Sequence, residues 1–122
     1  MGVLVAISIP IFTGQLREAR LATNQANARA AYAAATTQYM LDYDDTTPSS
    51  SVSYVYTVAT EKLGDVKATA GTATISNTDI STWGVDDKAG GTALGDKTAT
   101  SWEVVLNADG SISGYAPTFP TK

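Results

Sequence analysis

The pattern of apolar and polar positions divides the chain into a helical first part and a β-rich second part. Residues 3–12 are almost wholly apolar, and from Gln15 to about Asp42 apolar and small residues recur at three- and four-residue steps. That spacing is typical of one face of an α-helix. From Val52 the period changes to two, as in a strand with one buried face. The pattern predicts an α+β fold, in which a long N-terminal helix packs on a small antiparallel sheet of three or four strands.

The amphipathic part of the predicted helix, residues 15–42, carries a stripe of mostly small side chains. We expect this small-residue stripe to face the sheet, because small side chains let another layer approach the helix axis closely. Its alanines also favour helix intrinsically. A second stripe, of Tyr32, Thr36, Tyr39 and Tyr43, is expected to cover the edge of the sheet as core packing. The members of the small-residue stripe are Leu16, Ala19, Thr23, Ala26, Ala30, Ala33, Thr37 and Met40.

Strand signals follow the helix, within a region that we assign to the sheet from residue 52 to residue 116. Residues 52–58 place Val, Tyr, Tyr and Val at alternate positions and predict a half-buried strand. Residues 71–76 predict a second short strand, whereas the pattern of residues 61–71 is ambiguous.

The rest of the chain is predicted to form a loop and then a hairpin. Residues 77–97 contain four glycines and are expected to be a loop with one short strand at most. Residues 101–106 and 111–115 predict a β-hairpin, with the positive φ of its turn supplied by Asp109-Gly110. Trp83 and Val85 are the expected anchors of the loop, and Trp102, Val104 and Leu106 share one face of the hairpin.

The apolar N-terminal segment, residues 1–14, is treated separately from the head, residues 15–122. It is too short to cross a bilayer, which takes about 20 residues, and it lacks the positive start of a secretory signal. We interpret it as the C-terminal half of a longer apolar helix whose front lies upstream. The alternative is a complete short helix buried in the core. Pro10 is expected to bend the helix rather than end it.

The charge of the chain is low and unevenly placed. Charged residues make up 16% of the chain, the net charge is −4 and the sequence pI is about 4.5. This balance argues against direct, charge-driven binding of nucleic acid. Residues 1–41 carry three Arg against one Glu, while residues 42–122 carry five Lys against eleven acids. Either the basic helix attracts the acidic heads of other copies, or these charges only solvate the surface.

The residue inventory bears on catalysis and metal binding. The chain has no Cys and no His, which excludes the usual zinc sites, thiol nucleophiles and imidazole acid-base catalysis. We expect no enzymatic activity and no organic cofactor. Asp42, Asp44 and Asp45 offer the oxygen ligands that calcium prefers, but without EF-hand spacing. The alternative is that they are solvated acids beside a turn.

The chain begins with the run Gly2-Val3-Leu4-Val5-Ala6-Ile7-Ser8-Ile9-Pro10, a glycine followed by aliphatics, an alanine and a proline. With the helix that follows it, this run makes the first forty residues resemble the type IV pilin family, including its secretion-system pseudopilins. Gln15-Leu16-Arg17-Glu18-Ala19-Arg20 then leads into the Ala-rich helix, as in that family. Ser8 departs from the commoner alanine, and the family's processing site and early glutamate lie outside this sequence. The absence of a C-terminal Cys pair points towards a Gram-positive pilin or a pseudopilin.

The resemblance implies a subunit that polymerises through its N-terminal helix into an extracellular pilus used for adhesion or motility. It implies membrane insertion through the full hydrophobic helix before assembly, and partners that are other pilin subunits and the pilus assembly machinery. An apolar helix exposed to water is unfavourable by about 25 cal/mol per Å², so copies bundle together. The expected contact residues between subunits are Val3, Leu4, Val5, Ile7, Ile9, Pro10, Ile11 and Phe12.

Two other functions remain open from the sequence. A pseudopilin would use the same helix in type II secretion or in DNA uptake. A secreted β-rich carbohydrate-binding module would instead expose Trp83 and either Tyr54 or Tyr56 for stacking on sugar rings.

Overall fold

A computed structural model of the protein describes residues 2–60, 62–67 and 72–120, with side chains described from Gly14 onward except at residues 62–67. Among these residues, one long helix is followed by six short strands and a single 3₁₀ turn, Ile80–Thr82. The helix, α1, spans Gly2–Asp42 and therefore ends at the residue that the sequence pattern predicts. The strands are β1 (Val52–Thr57), β2 (Lys62–Lys67), β3 (Lys88–Ala89), β4 (Thr92–Ala93), β5 (Ser101–Leu106) and β6 (Ile112–Thr118).

Four of the strands form the main sheet in the order β2-β1-β5-β6, and each neighbouring pair is antiparallel. Tyr54 on β1 lies opposite Val104 on β5, which in turn lies opposite Tyr115 on β6. Helix α1 packs across the two central strands, β1 and β5. The structure thus confirms the predicted α+β arrangement of one long helix on a small antiparallel sheet.

The core lies between α1 and the sheet. From the helix it takes Ala28, Ala31 and Ala35, none of which is exposed to solvent. Because these side chains end at Cβ, the large rings of the sheet can lie close to the helix axis. From the sheet the core takes Val52, Tyr54, Tyr56, Trp102, Val104, Leu106 and Tyr115, which confirms the shared face predicted for the β5 side of the hairpin.

The prediction for the small-residue stripe was wrong. Every one of its eight members, from Leu16 to Met40, is exposed, and the opposite side of the helix carries the core alanines. Both sides of α1 are rich in small residues, so size alone does not distinguish them. The second stripe is confirmed in part, because Tyr39 and Tyr43 pack against the core, with ring centroids 5.2 Å apart, whereas Tyr32 is exposed.

The irregular regions differ from the predictions in three ways. The ambiguous stretch, residues 61–71, contains the strand β2, whose pairing with β1 is interrupted by one irregularity. Within the described part of residues 71–76, Ile75 forms only an isolated bridge with Tyr115, so the predicted strand there is wrong. Residues 77–97 contain two two-residue strands, β3 and β4, rather than one at most. The loop is anchored by Trp83, which is buried, while Val85 is only half-buried.

The turn of the predicted hairpin is confirmed. Gly110 has φ +90°, and its N–H donates to the carbonyl oxygen of Asn107 over 2.9 Å. The Asp109 carboxylate accepts hydrogen bonds from the hydroxyl and the backbone N–H of Ser111, and these bonds lower the pKa of Asp109. The side chain of Asp109 therefore closes the turn, a common role for Asp in such positions.

The stability of the folded protein is expected to depend on pH through two buried tyrosines, Tyr54 and Tyr115. Burial raises the pKa of Tyr115 to about 12. Burial and a 2.9 Å hydrogen bond to Asp42 also raise the pKa of Tyr54. Because the folded state favours the neutral phenols, this stabilisation is complete below pH 10 and is lost as the pH rises through the folded-state pKa values.

Thermal denaturation between pH 8 and pH 12 should therefore show a melting temperature that falls above pH 10. Replacing both Tyr54 and Tyr115 with Phe should make this decline shallower. An equally steep decline in the double variant would show that other groups cause it.

Candidate assembly surface

The part of the head that follows α1 contacts the helix only along its C-terminal two thirds, as far as the described side chains show. Among them, Arg17 is the one nearest the N-terminus that makes a hydrogen bond to the head. At Gly14 a Cβ atom would meet no heavy atom within 4 Å beyond the helix's own backbone, so the side of the helix that Gly14 presents is open. Towards the N-terminus the same helix continues for residues 2–13, about 18 Å of axis at 1.5 Å per residue.

The predicted subunit-contact residues all belong to this continuation. The backbone of α1 remains helical through Pro10, while the bend predicted there stays a prediction. No helix among the described residues is both long enough and apolar enough to cross a membrane. The side chains of the predicted contact set lie outside the described residues; they are Val3, Leu4, Val5, Ile7, Ile9, Pro10, Ile11 and Phe12.

Arg17 ties the start of the head to the loop after the 3₁₀ turn. Its guanidinium forms ion pairs with Asp86 at 3.0 Å and Asp96 at 3.1 Å, and it also donates to the carbonyl oxygen of Val85. The hydrogen bond with Asp86 raises the pKa of Arg17. Both acids are exposed, and solvent-exposed ion pairs contribute little to stability. This contact therefore orients the loop rather than holding the fold together.

A buried amide holds the same loop more firmly. Asn24 is fully buried, and its Nδ2 donates to the carbonyl oxygens of Leu94 at 2.8 Å and Lys97 at 2.9 Å. Its Oδ1 accepts from the backbone N–H of Ala99 at 2.9 Å. The side chain of Asn24 thereby supplies hydrogen-bond partners for three backbone groups of the loop. The neighbouring Gln25 donates to the carbonyl oxygens of Ile80 and Trp83.

Sequence reasoning missed Asn24 and Gln25, and it treated Arg17 as a charge and as part of the run that resembles pilins, not as a contact to the loop. A signal was present, because Asn24 interrupts a helix that is otherwise rich in alanine. An Asn in the middle of a helix favours other backbone conformations, but Asn27 in the same helix makes no side-chain hydrogen bond to another described residue, so this signal does not by itself single out Asn24.

The exposed small-residue stripe is a second part of the surface. Its members follow strictly alternating steps of three and four residues from Leu16 to Met40, which is the spacing of a heptad repeat. The hydroxyls of Thr23 and Thr37 donate to the carbonyl oxygens four residues earlier in the helix. The hydroxyl groups of these two threonines therefore already donate their hydrogen bonds within the helix. At the C-terminal end Met40 and Leu41 are 65% and 69% exposed.

The structure does not bring the residues of the predicted calcium site together. Asp42 accepts hydrogen bonds from Tyr54 and Gln38, and the described residues contain no group of three or more acids positioned to hold a metal ion. The arrangement of Asp42, Asp44 and Asp45 therefore gives no support to the calcium site.

The residues expected to stack on sugar in a carbohydrate-binding module are also placed differently. Trp83, Tyr54 and Tyr56 are all buried in the core. Their rings are therefore not available as an exposed sugar-binding platform.

Comparison with known proteins adds no relative: no family model, no curated protein and no solved structure matches the chain. The function must accordingly be inferred from the residues and contacts described above.

Proposed function

We propose that this protein is a structural subunit of an extracellular type IV pilus, which polymerises through the N-terminal part of α1. The observation that supports this most directly is the division of one continuous helix. From Arg17 onward side chains of the helix bind the head, whereas the side of the helix that Gly14 presents is open. The residues before Gly14 are almost wholly apolar.

The proposal follows from the cost of leaving such a segment in water. Exposed apolar surface is unfavourable by about 25 cal/mol per Å², and the side of the helix that Gly14 presents has no neighbour within 4 Å of a Cβ position. Equivalent segments of other copies can supply that cover. A contact of this kind that repeats without closing produces a helical fibre.

The exposed stripe on the head half of α1 is consistent with the same partner. By spacing it continues from the apolar segment, since Phe12 precedes Leu16 by four residues. Heptad spacing of small side chains on an exposed helix face suits close packing against a second helix. A filament in which helices of neighbouring copies touch along their length would use both parts.

The test introduces a charge into the proposed contact. In the natural full-length protein, Ile9→Arg and Phe12→Arg should each reduce the number of filaments seen by electron microscopy at least tenfold. The physical reason is that burying an unpaired charge costs several kcal/mol, and about 1.4 kcal/mol already corresponds to a factor of ten. Ala30→Arg, which tests the exposed stripe, should also reduce filament number.

Thr78→Arg is the matched control, because Thr78 is exposed and lies outside α1 and outside the exposed stripe. It should leave filaments unchanged, and circular dichroism should show that all four variants keep a folded head. Normal filaments from both Ile9→Arg and Phe12→Arg would refute the proposed role of the segment. Normal filaments from Ala30→Arg alone would exclude only the stripe.

A further inference from the structure

Two charged side chains on the exposed side of α1 have no ionic partner among the described residues. The helix carries five charged residues in all. Arg17 and Arg20 donate to the loop, and Asp42 accepts hydrogen bonds. Glu18 and Arg29, by contrast, are exposed, and neither forms a hydrogen bond or an ion pair with another described residue.

The buried phenol of Tyr115 does not take the place of a partner for Arg29. Arg29 acts on it electrostatically, but burial raises the pKa of Tyr115 to about 12. The phenol is therefore neutral at pH 7 and offers the guanidinium no opposite charge.

Glu18 and Arg29 lie on one side of the helix, eleven residues apart. At 3.6 residues per turn, eleven residues make three turns and only about 20° more, and they span about 16.5 Å of axis. Four residues after each charge stands an exposed alanine, Ala22 and Ala33 respectively. The side chains beside the charges are thus small, so a second helix can approach this side closely.

The positions of the two charges favour one displacement between parallel copies. At equal height, Glu18 would face Glu18 and Arg29 would face Arg29, and like charges repel. A displacement of eleven residues instead brings Glu18 of one copy level with Arg29 of the next, and Ala22 level with Ala33. Each copy then meets one neighbour through Glu18 and another through Arg29, so the contact repeats without closing.

An antiparallel pair would match the same charges twice and close as a dimer. It would also place residues 3–12 of one copy level with residues 35–44 of the other, with Val5 level with Asp42. Burying a carboxylate against apolar side chains is costly. Parallel copies avoid this, because their apolar segments all lie towards the same end.

We propose that Glu18 of one copy pairs with Arg29 of the next and thereby sets the axial displacement between them at about 16.5 Å. The inference rests on the proposed function, because it specifies the register of the contact between subunits. Charge pairs at an interface contribute specificity more than affinity. The pair therefore selects one register, while the apolar segment supplies the main drive to assemble.

The test exchanges the two charges in the natural full-length protein. Glu18→Arg and Arg29→Glu should each lower the number of filaments seen by electron microscopy at least about fivefold, because each change brings like charges together at every contact. The double variant E18R/R29E restores opposite charges, so the coupling between the two changes should return filament number to within about twofold of the unchanged protein.

Asp45→Arg and Lys88→Glu are the matched controls. Both residues are exposed, lie outside α1 and make no side-chain hydrogen bond or ion pair with another described residue. Each control makes the same change of charge as one of the test variants. Filament number should stay unchanged in both, and circular dichroism should show a folded head in all five variants.

Three results would overturn the inference: normal filaments from both single variants, a double variant as defective as the single ones, or equal defects in the controls. None of these removes the pilus proposal as long as the unchanged protein forms filaments that Ile9→Arg abolishes. An unchanged protein that forms no filaments, or only a closed dimer, would remove the pilus and the charge pair together.

Discussion

Replacing Asn24 with leucine is expected to lower the free energy of unfolding by about 3–5 kcal/mol. The fully buried side chain makes three hydrogen bonds, to the carbonyl oxygens of Leu94 and Lys97 and to the N–H of Ala99. Leucine is similar in size but makes none of them. Each buried backbone group left without a partner costs about 1–3 kcal/mol. The loss should therefore exceed the small gain from burying a more apolar side chain.

Thermal or urea denaturation of the folded chain would measure this effect. Asn27→Leu is the matched control, because Asn27 is only half-buried and makes no hydrogen bond to another described residue through its side chain. It should change stability by less than about 1 kcal/mol. Similar losses for the two variants would show that the Asn24 bonds do not hold the loop.

Replacing Trp102 with alanine should destabilise the head by about 3–5 kcal/mol, as large-to-small core changes of aromatic residues do. Trp102 is fully buried and stacks on Trp83, with ring centroids 5.7 Å apart. Tyr115 meets both indole rings edge-on. Alanine at this position would leave a cavity that these neighbours cannot fill without losing their own contacts. Denaturation of the variant gives the measurement.

A comparison of two tryptophan-to-phenylalanine variants tests the same cluster more finely. The Nε1 of Trp83 donates to the carbonyl oxygen of Asn77 at 3.0 Å, whereas the Nε1 of Trp102 is buried without a partner among the described residues. Phenylalanine at residue 102 therefore removes a donor that costs free energy to bury, while phenylalanine at residue 83 breaks a hydrogen bond. Trp83→Phe should be the more destabilising of the two. The reverse order would mean that the indole nitrogen of Trp102 has a partner, such as a buried water.

Variants of Asn24 and Trp102 matter to the proposed function because they test folding separately from assembly. Asn24 and Trp102 belong to the head, and their variants should reduce filaments only through loss of the folded subunit. Ile9→Arg and Phe12→Arg should reduce filaments while the head stays folded. A filament defect without a stability defect is therefore the sign of a contact between subunits.

Local chemistry made part of the fold predictable. The hairpin of β5 and β6 could be located because alternating side chains flank Asp109-Gly110, and the turn needs the positive φ that Gly110 adopts. The end of α1 could be located because the periodic pattern stops at Asp42, before a run of turn-forming residues. Both signals act between residues close in the chain.

The candidate surface was predictable only in outline. The apolar run of residues 3–12 marks a segment that water disfavours, and the composition alone shows this. The contacts of Arg17 and Asn24 join residues about 70 positions apart. No local sequence pattern around either residue indicates which loop its side chain contacts.

The sequence by itself determined the long helix, the strands β1, β5 and β6, the hairpin turn and the apolar character of the first segment, because each depends on neighbouring residues. Only the tertiary structure decided which side of α1 meets the sheet. Ala28 and Ala30 have the same side chain, yet Ala28 is fully buried and Ala30 is exposed. The choice depends on where the rings of Tyr54 and Trp102 can pack and where the amide of Asn24 finds the loop. Those contacts exist only after distant parts of the chain have come together.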